Sequence, residues 1–106
     1  MEKESENYMA IQEKIMQKDK VQFKEPGKYK VVMYNDDFTP MDFVVTILIE
    51  VFHKSEEEAI QIMFHIHNGV KEVIGEYAYD IARTKVAICT DRARTAGYPF
   101  LVKMEH

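Results

Sequence analysis

The sequence predicts an α+β fold: a β-α-α-β-α-β sandwich with a three-stranded antiparallel sheet packed against three helices, after a flexible N-terminal extension. Three observations predict it. Tyr29-Lys30-Val31-Val32-Met33-Tyr34 is rich in residues that favour strands. Three later stretches carry helical periodicity with start or stop signals. Phe100, Val102 and Met104 alternate with Leu101 and Lys103, as the two faces of a strand do. These apolar faces are buried together only if sheet and helices share one core.

The elements follow in order. Residues 1–27 hold five Lys and six Asp or Glu with two aromatics, Tyr8 and Phe23, and end at a Pro26-Gly27 break. Tyr8, Ile11 and Ile15 have helical spacing, but so short a helix is marginal alone in water. Residues 1–27 are therefore expected to be a mobile extension and 28–106 the folded domain. Asn35-Asp36-Asp37 closes the first strand with turn formers. Thr39 is then expected to cap a helix with Pro40 at its first position and Asp42 in its first turn. That helix, expected to run through His53, is apolar almost all round, from Phe43 to Phe52, which predicts burial on several sides.

Ser55 and Glu58 form the sequence signature of a capping box, followed by Ala59, Ile62, Met63, Ile66 and His67 on one helical face. Gly69 is expected to stop that helix. Val70 to Tyr77 reads as the second strand, with Gly75 as a bulge. Tyr79 to Thr95 reads as the third helix, with Ala82, Val86, Cys89 and Ala93 inward and Gly97 at its end.

Composition narrows the function. The chain has 106 residues, enough for one domain of about 100–200 residues. Hydrophobic residues are 46% and charged residues 30%, which excludes a disordered or low-complexity chain. The net charge of −4 argues against a nucleic-acid partner. No apolar run approaches the roughly 18 residues of a membrane span, and MEKESENYMA has no apolar signal region. Cys89 is the single cysteine, so neither an internal disulfide nor a Cys-rich zinc site is available. These features predict a cytoplasmic protein.

Few residues could carry chemistry. Asn35, Asp36 and Asp37 make an acceptor-rich rim at a strand-to-helix junction. It could bind a metal, act in acid/base catalysis or hold an ammonium, which has three donors and no acceptor. The plain alternative is a polar turn with helix-cap chemistry. His65 and His67 differ by about 200° around a helix and should not chelate one metal. His65 is expected in solvent. His67 reads either as a satisfied core histidine or as a neutral acceptor at the lip of an apolar pocket. Met41 and Met63 read as core filler or as flexible walls of such a pocket. Cys89 reads as buried and inert. No phosphate-binding loop, nucleophile elbow or triad is present in the sequence. A small metal-dependent enzyme using Asp36, Asp37 and a histidine stays open, as does a structural interaction module.

One stretch goes further. Tyr34-Asn35-Asp36-Asp37-Phe38-Thr39-Pro40-Met41-Asp42-Phe43-Val44 resembles the signature of the ClpS family, adaptors of the bacterial and plastid ATP-dependent Clp protease. Ala59, Met63 and His67, and then Ala82-Arg83-Thr84-Lys85, fit the same family at the expected separations. The resemblance spans about residues 28–106. It implies an adaptor without catalytic activity or cofactor. Such an adaptor binds proteins that begin with Phe, Tyr, Trp or Leu and delivers them to a Clp-type AAA+ unfoldase. By position, Asn35, Asp36 and His67 would hold the substrate α-amino group, Asp36 through water. Asp37, Thr39, Met41, Val44, Met63, Ile66 and Phe100 would frame the side-chain pocket, with Met41 as a gate against β-branched residues. Asp80 and Lys85 would contact the unfoldase N-terminal domain, and the extension 1–27 would engage the unfoldase during delivery. A monomer is implied, with neither nucleic acid nor membrane as partner. Phe100 stands where the family commonly has Leu, which would narrow the pocket.

Overall fold

The computed structural model describes residues 27–106. The expected mobile extension, Gly27 apart, lies outside the described residues. The element order is β1 (Tyr29–Tyr34), α1 (Met41–Glu50), α2 (Glu56–His67), β2 (Lys71–Tyr77), α3 (Tyr79–Ala96) and β3 (Val102–Glu105). The sheet is antiparallel with order β2-β1-β3. The expected α+β sandwich is therefore the observed fold.

β1 is central because Val31, Val32 and Met33 are all buried. Alternation sends Val31 and Met33 into one core with Val44, Ile47 and Leu48 of α1, Met63 and Ile66 of α2, and Ala82 and Cys89 of α3. Val32 belongs to the opposite face, where it pairs with Val73 and Lys103. The predicted bulge is present: Val31 pairs with Gly75 and Val32 with Val73, which leaves Ile74 as the extra residue. Glycine suits this position because a Cβ there would lie 2.6 Å from the Tyr77 hydroxyl oxygen and force the Tyr77 ring aside.

Helix ends correct several expectations. Thr39 does not cap α1. Pro40 is the N-cap, with no side-chain bond, because the Thr39 hydroxyl is turned to Asp36 instead. Helix α1 stops at Glu50, short of His53: His53 takes a left-handed conformation (φ 56°) and the Lys54 N–H turns back to the Leu48 carbonyl at 3.1 Å. Val51 and Phe52 remain buried beyond the helix, so the apolar run marked burial rather than helix length.

The capping box of α2 is formed: Ser55 Oγ accepts from the Glu58 N–H at 3.1 Å, and Glu58 Oε1 accepts from the Ser55 N–H at 3.2 Å. Such caps contribute about 1 kcal/mol. Asn68, not Gly69, caps the far end of α2. Helix α3 ends as expected at Gly97, whose φ of 83° suits glycine. Among the described residues no helix is long and apolar enough to cross a membrane.

Candidate functional site

The first turn of α1 and the last turn of α2 meet beside the end of β1. Asn35 continues β1, and its N–H donates to the Val70 carbonyl at 2.9 Å. Its side-chain Nδ2 donates to the backbone carbonyls of His67 and Gly69, both at 3.4 Å. These long bonds are individually weak. Together they turn the amide nitrogen toward the end of α2 and leave Oδ1 as an acceptor on the other side.

Asp36 braces the loop. Oδ1 accepts from the Phe38 N–H (2.8 Å) and the Thr39 N–H (2.7 Å), and Oδ2 accepts from the Thr39 hydroxyl (2.8 Å). Partial burial pushes the Asp36 carboxyl up, but the three bonds outweigh it and hold the group below its ordinary value. Asp36 is thus a fixed anion whose oxygens are largely committed to its own turn. The polar-turn reading and the anionic-rim reading both describe it.

Behind this rim is a narrow slot with two lobes. The front lobe, about 30 Å³, is lined by Asn35, Asp36, Thr39, Met41, Val44, Met63, Ile66 and His67. The rear lobe, about 20 Å³, shares Asn35, Asp36, Thr39, Val44 and Ile66, and adds Tyr34 and Phe100. Met41 and His67, both exposed, therefore belong to the mouth, and the buried Met63 and Phe100 to the interior. Each lobe has room for only about one or two waters. A larger side chain must displace the flexible Met41 and Met63 thioethers, which such side chains allow. Phe100 is held more firmly: its ring lies 5.9 Å from that of Phe43 at 90°, and Phe43 lies 5.0 Å from Tyr98 at 75°.

The structure thus gathers Asn35, Asp36, Thr39, Met41, Val44, Met63, Ile66, His67 and Phe100 at one slot. His67 is exposed, so the core-histidine reading is set aside. His65 is exposed, as expected, with Nδ1 4.0 Å from Glu72. Asp37 does not line the slot. It lines an outer groove of about 420 Å³ with Asn35, Asp36, Phe38, Thr39, Pro40, Met41 and His67. Tyr34, Phe38 and Pro40 were missed. The Tyr34-to-Val44 run contained all three, but exposure and facing direction are properties of the folded loop. Among the described residues no group of three or more His, Cys, Asp or Glu is placed to hold a metal ion, so the metal-dependent reading lacks a ligand set.

Asp80 and Lys85 lie elsewhere, along α3. They line a groove of about 380 Å³ with Glu50, Val51, His53, Ile81, Thr84, Ile88 and Arg92. Lys85 Nζ donates to the Val51 carbonyl at 2.7 Å and sits 5.3 Å from the ring centres of both Phe52 and Tyr77. Arg92 pairs with Glu50 at 2.6 Å. Cys89, fully buried, has its thiol pushed up to about 12 by desolvation, against a weaker opposing pull from Arg92 and Lys85. It is inert, as the sequence predicted.

Comparison with known proteins agrees with this architecture. The family model for "ATP-dependent Clp protease adaptor protein ClpS" matches residues 24–103. The chain belongs to the ClpS family. ATP-dependent Clp protease adapter proteins ClpS from Acetivibrio thermocellus and Treponema denticola are 49% and 47% identical to it. These matches cover 80% and 78% of this chain, and 86% and 82% of the relatives. The solved structure of Agrobacterium tumefaciens ClpS2 bound to L-phenylalaninamide is 37% identical and superposes with a TM-score of 0.74. It covers 76% of this chain and 98% of that one. In this ClpS chain the slot and the α3 groove are thus two separate surfaces on one adaptor fold.

Proposed function

We propose that the protein is a non-enzymatic adaptor that binds proteins beginning with Phe, Tyr, Trp or Leu and delivers them to a Clp-type AAA+ unfoldase for ATP-dependent proteolysis. The observation that carries this reading is the convergence of Asn35 and His67 on a slot whose apolar walls are Met41, Val44, Met63 and Ile66.

A free α-amino group has a pKa of about 7.7–8.0 and is mostly cationic at neutral pH. Its three donors meet the Asn35 oxygen, an imidazole nitrogen of His67 and the negative field of Asp36, directly or through water. An acetylated N-terminus has one donor and no charge, and leaves acceptors unpaired at about 1–3 kcal/mol each. Burying the aromatic or leucyl side chain between Met41, Val44, Met63, Ile66 and Phe100 adds roughly 1.5–3 kcal/mol. Neither end suffices alone, so selectivity requires both. L-phenylalaninamide, the ligand of the A. tumefaciens relative, carries both a free α-amino group and a benzyl side chain.

Delivery uses the other surface. The α3 groove with Asp80 and Lys85 would dock the unfoldase N-terminal domain, and the extension 1–27 would engage the unfoldase. An adaptor of this kind works as a monomer in the cytoplasm. Fluorescence anisotropy with peptides beginning in Phe, Leu, Val and acetyl-Phe tests the reading. Tight binding is expected for free Phe and Leu only. Equal binding of Phe and acetyl-Phe would overturn it.

A further inference from the structure

Phe38 is 77% exposed, the highest value among the exposed large hydrophobic residues of the described region. A lone exposed apolar side chain needs no explanation. Phe38 differs because its backbone is fixed. Its N–H is held by Asp36 Oδ1 at 2.8 Å, within the same braced turn that forms the slot mouth. The ring therefore projects from a rigid loop, not from a drifting one. Pro40 and Met41, the latter 42% exposed, stand on the same groove of about 420 Å³.

That groove shares Asn35, Asp36, Thr39, Met41 and His67 with the front lobe of the slot. It is continuous with the mouth. Once a terminal amine is held at Asn35 and His67 and the first side chain fills the slot, the rest of the chain must leave through that mouth. The next Cα follows at 3.8 Å, within reach of the groove.

We infer that this groove is a second subsite, which takes the apolar or aromatic side chain of the residue after the bound N-terminal one, with Phe38 as its platform. The inference rests on the N-terminal-residue reading above. A rigid aromatic platform supplies contact area at little cost in side-chain entropy. The groove has ample room for one side chain, and Phe38, Pro40 and Met41 form its apolar part.

The test is a cycle on the full chain. Peptides beginning Phe-Leu and Phe-Gly, otherwise identical, are titrated by anisotropy against the wild type and against Phe38→Ser. Because Phe38 is exposed, the substitution leaves the core intact, and circular dichroism checks this. The wild type is expected to favour Phe-Leu roughly three- to tenfold. Phe38→Ser should reduce that preference to within about twofold while binding Phe-Gly as the wild type does. An equal preference in both proteins, or none in the wild type, would overturn the subsite but leave the first-residue reading standing. Failure of the wild type to bind either peptide would overturn both.

Discussion

Asn35 Nδ2 donates to the His67 carbonyl at 3.4 Å across 32 residues of sequence, joining the end of β1 to the end of α2. The bond orients the amide, so Asn35 both ties and accepts. Its loss should cost more than one hydrogen bond. Asn35→Ala is expected to weaken binding of a Phe-initiated peptide roughly tenfold or more. Asn35→Asp is the sharper variant. It adds an anion that should attract an ammonium, but sets a carboxylate against the His67 and Gly69 carbonyls. We expect weaker binding than wild type by anisotropy. Tighter binding would show that the tie is dispensable.

The Asp36 turn should survive across the physiological range and open only in acid. Its folded carboxyl lies below its ordinary value because the bonds from Thr39 and Phe38 outweigh desolvation. A depressed carboxylate stabilises fully above the unfolded value of about 3.9 and loses this as pH falls through the folded value. The Phe38 and Thr39 amide resonances should therefore titrate with a midpoint below about 3.9. A midpoint above it would mean that the bonds are not held in solution.

Side-chain selection should divide between mouth and floor. Met41 is half-exposed at the mouth, and Phe100 is buried at the floor under its aromatic neighbours. Met41→Ala should admit Ile- and Val-initiated peptides with little change for Phe. Phe100→Leu should deepen the slot and improve Trp-initiated peptides relative to Leu-initiated ones by several-fold, since about 0.8 kcal/mol accompanies each buried methylene. Unchanged selectivity in either variant, read from a panel of first residues, would remove that assignment.

These residues also show what the sequence could convey. The strands, the bulge at Gly75, the capping box at Ser55 and the stop at Gly97 were legible because each depends on local chemistry. The ends of α1 were not. Thr39 has the right side chain for a cap, but a tertiary turn around Asp36 takes its hydroxyl first. The apolar run to Phe52 could not reveal that His53 leaves the helix, because burial continues past the helix end. At the site, the Asn35-to-Val44 signature placed most lining residues. It could not separate Asp37 from the slot, since adjacent residues on a tight turn face different cavities. Nor could it show that the outer groove is larger than the slot itself.

The Tyr34 hydroxyl carries a second pH signature, at the edge of the rear lobe. The Tyr34 hydroxyl donates to Glu105 Oε2 at 2.6 Å, and Lys71 Nζ lies 3.5 Å from the same oxygen. The Tyr34 bond is the main cause holding Glu105 below its ordinary value, and the same bond raises Tyr34. The Glu105 contribution is present above the unfolded value of about 4.3 and fades in acid. The Tyr34 contribution is present below about 10 and fades in alkali as pH passes the folded value. Tyr34→Phe should therefore lower the melting temperature most between about pH 5 and 9, with convergence on wild type at both extremes. A uniform offset across pH would assign the loss to packing instead.

Lys85 shows why binding and delivery should be separable in one small domain. Its ammonium donates to the Val51 carbonyl at 2.7 Å and lies over Phe52 and Tyr77, so it anchors α3 to the segment after α1. Asp80 lines the same groove but is exposed. Lys85→Met removes a charged hydrogen bond worth about 1.5–3 kcal/mol before solvent screening of this half-exposed group reduces it. The melting temperature should then fall by about 4 °C or more. Asp80→Lys should lower the melting temperature by only a few degrees, through replacement of the acid in the first turn of α3 by a base. Both variants should bind a Phe-initiated peptide within about twofold of wild type, since neither residue lines the slot. Asp80→Lys should nonetheless fail to stimulate degradation of a Phe-initiated substrate by the unfoldase and its protease. Normal stimulation by Asp80→Lys would move the docking surface away from the α3 groove.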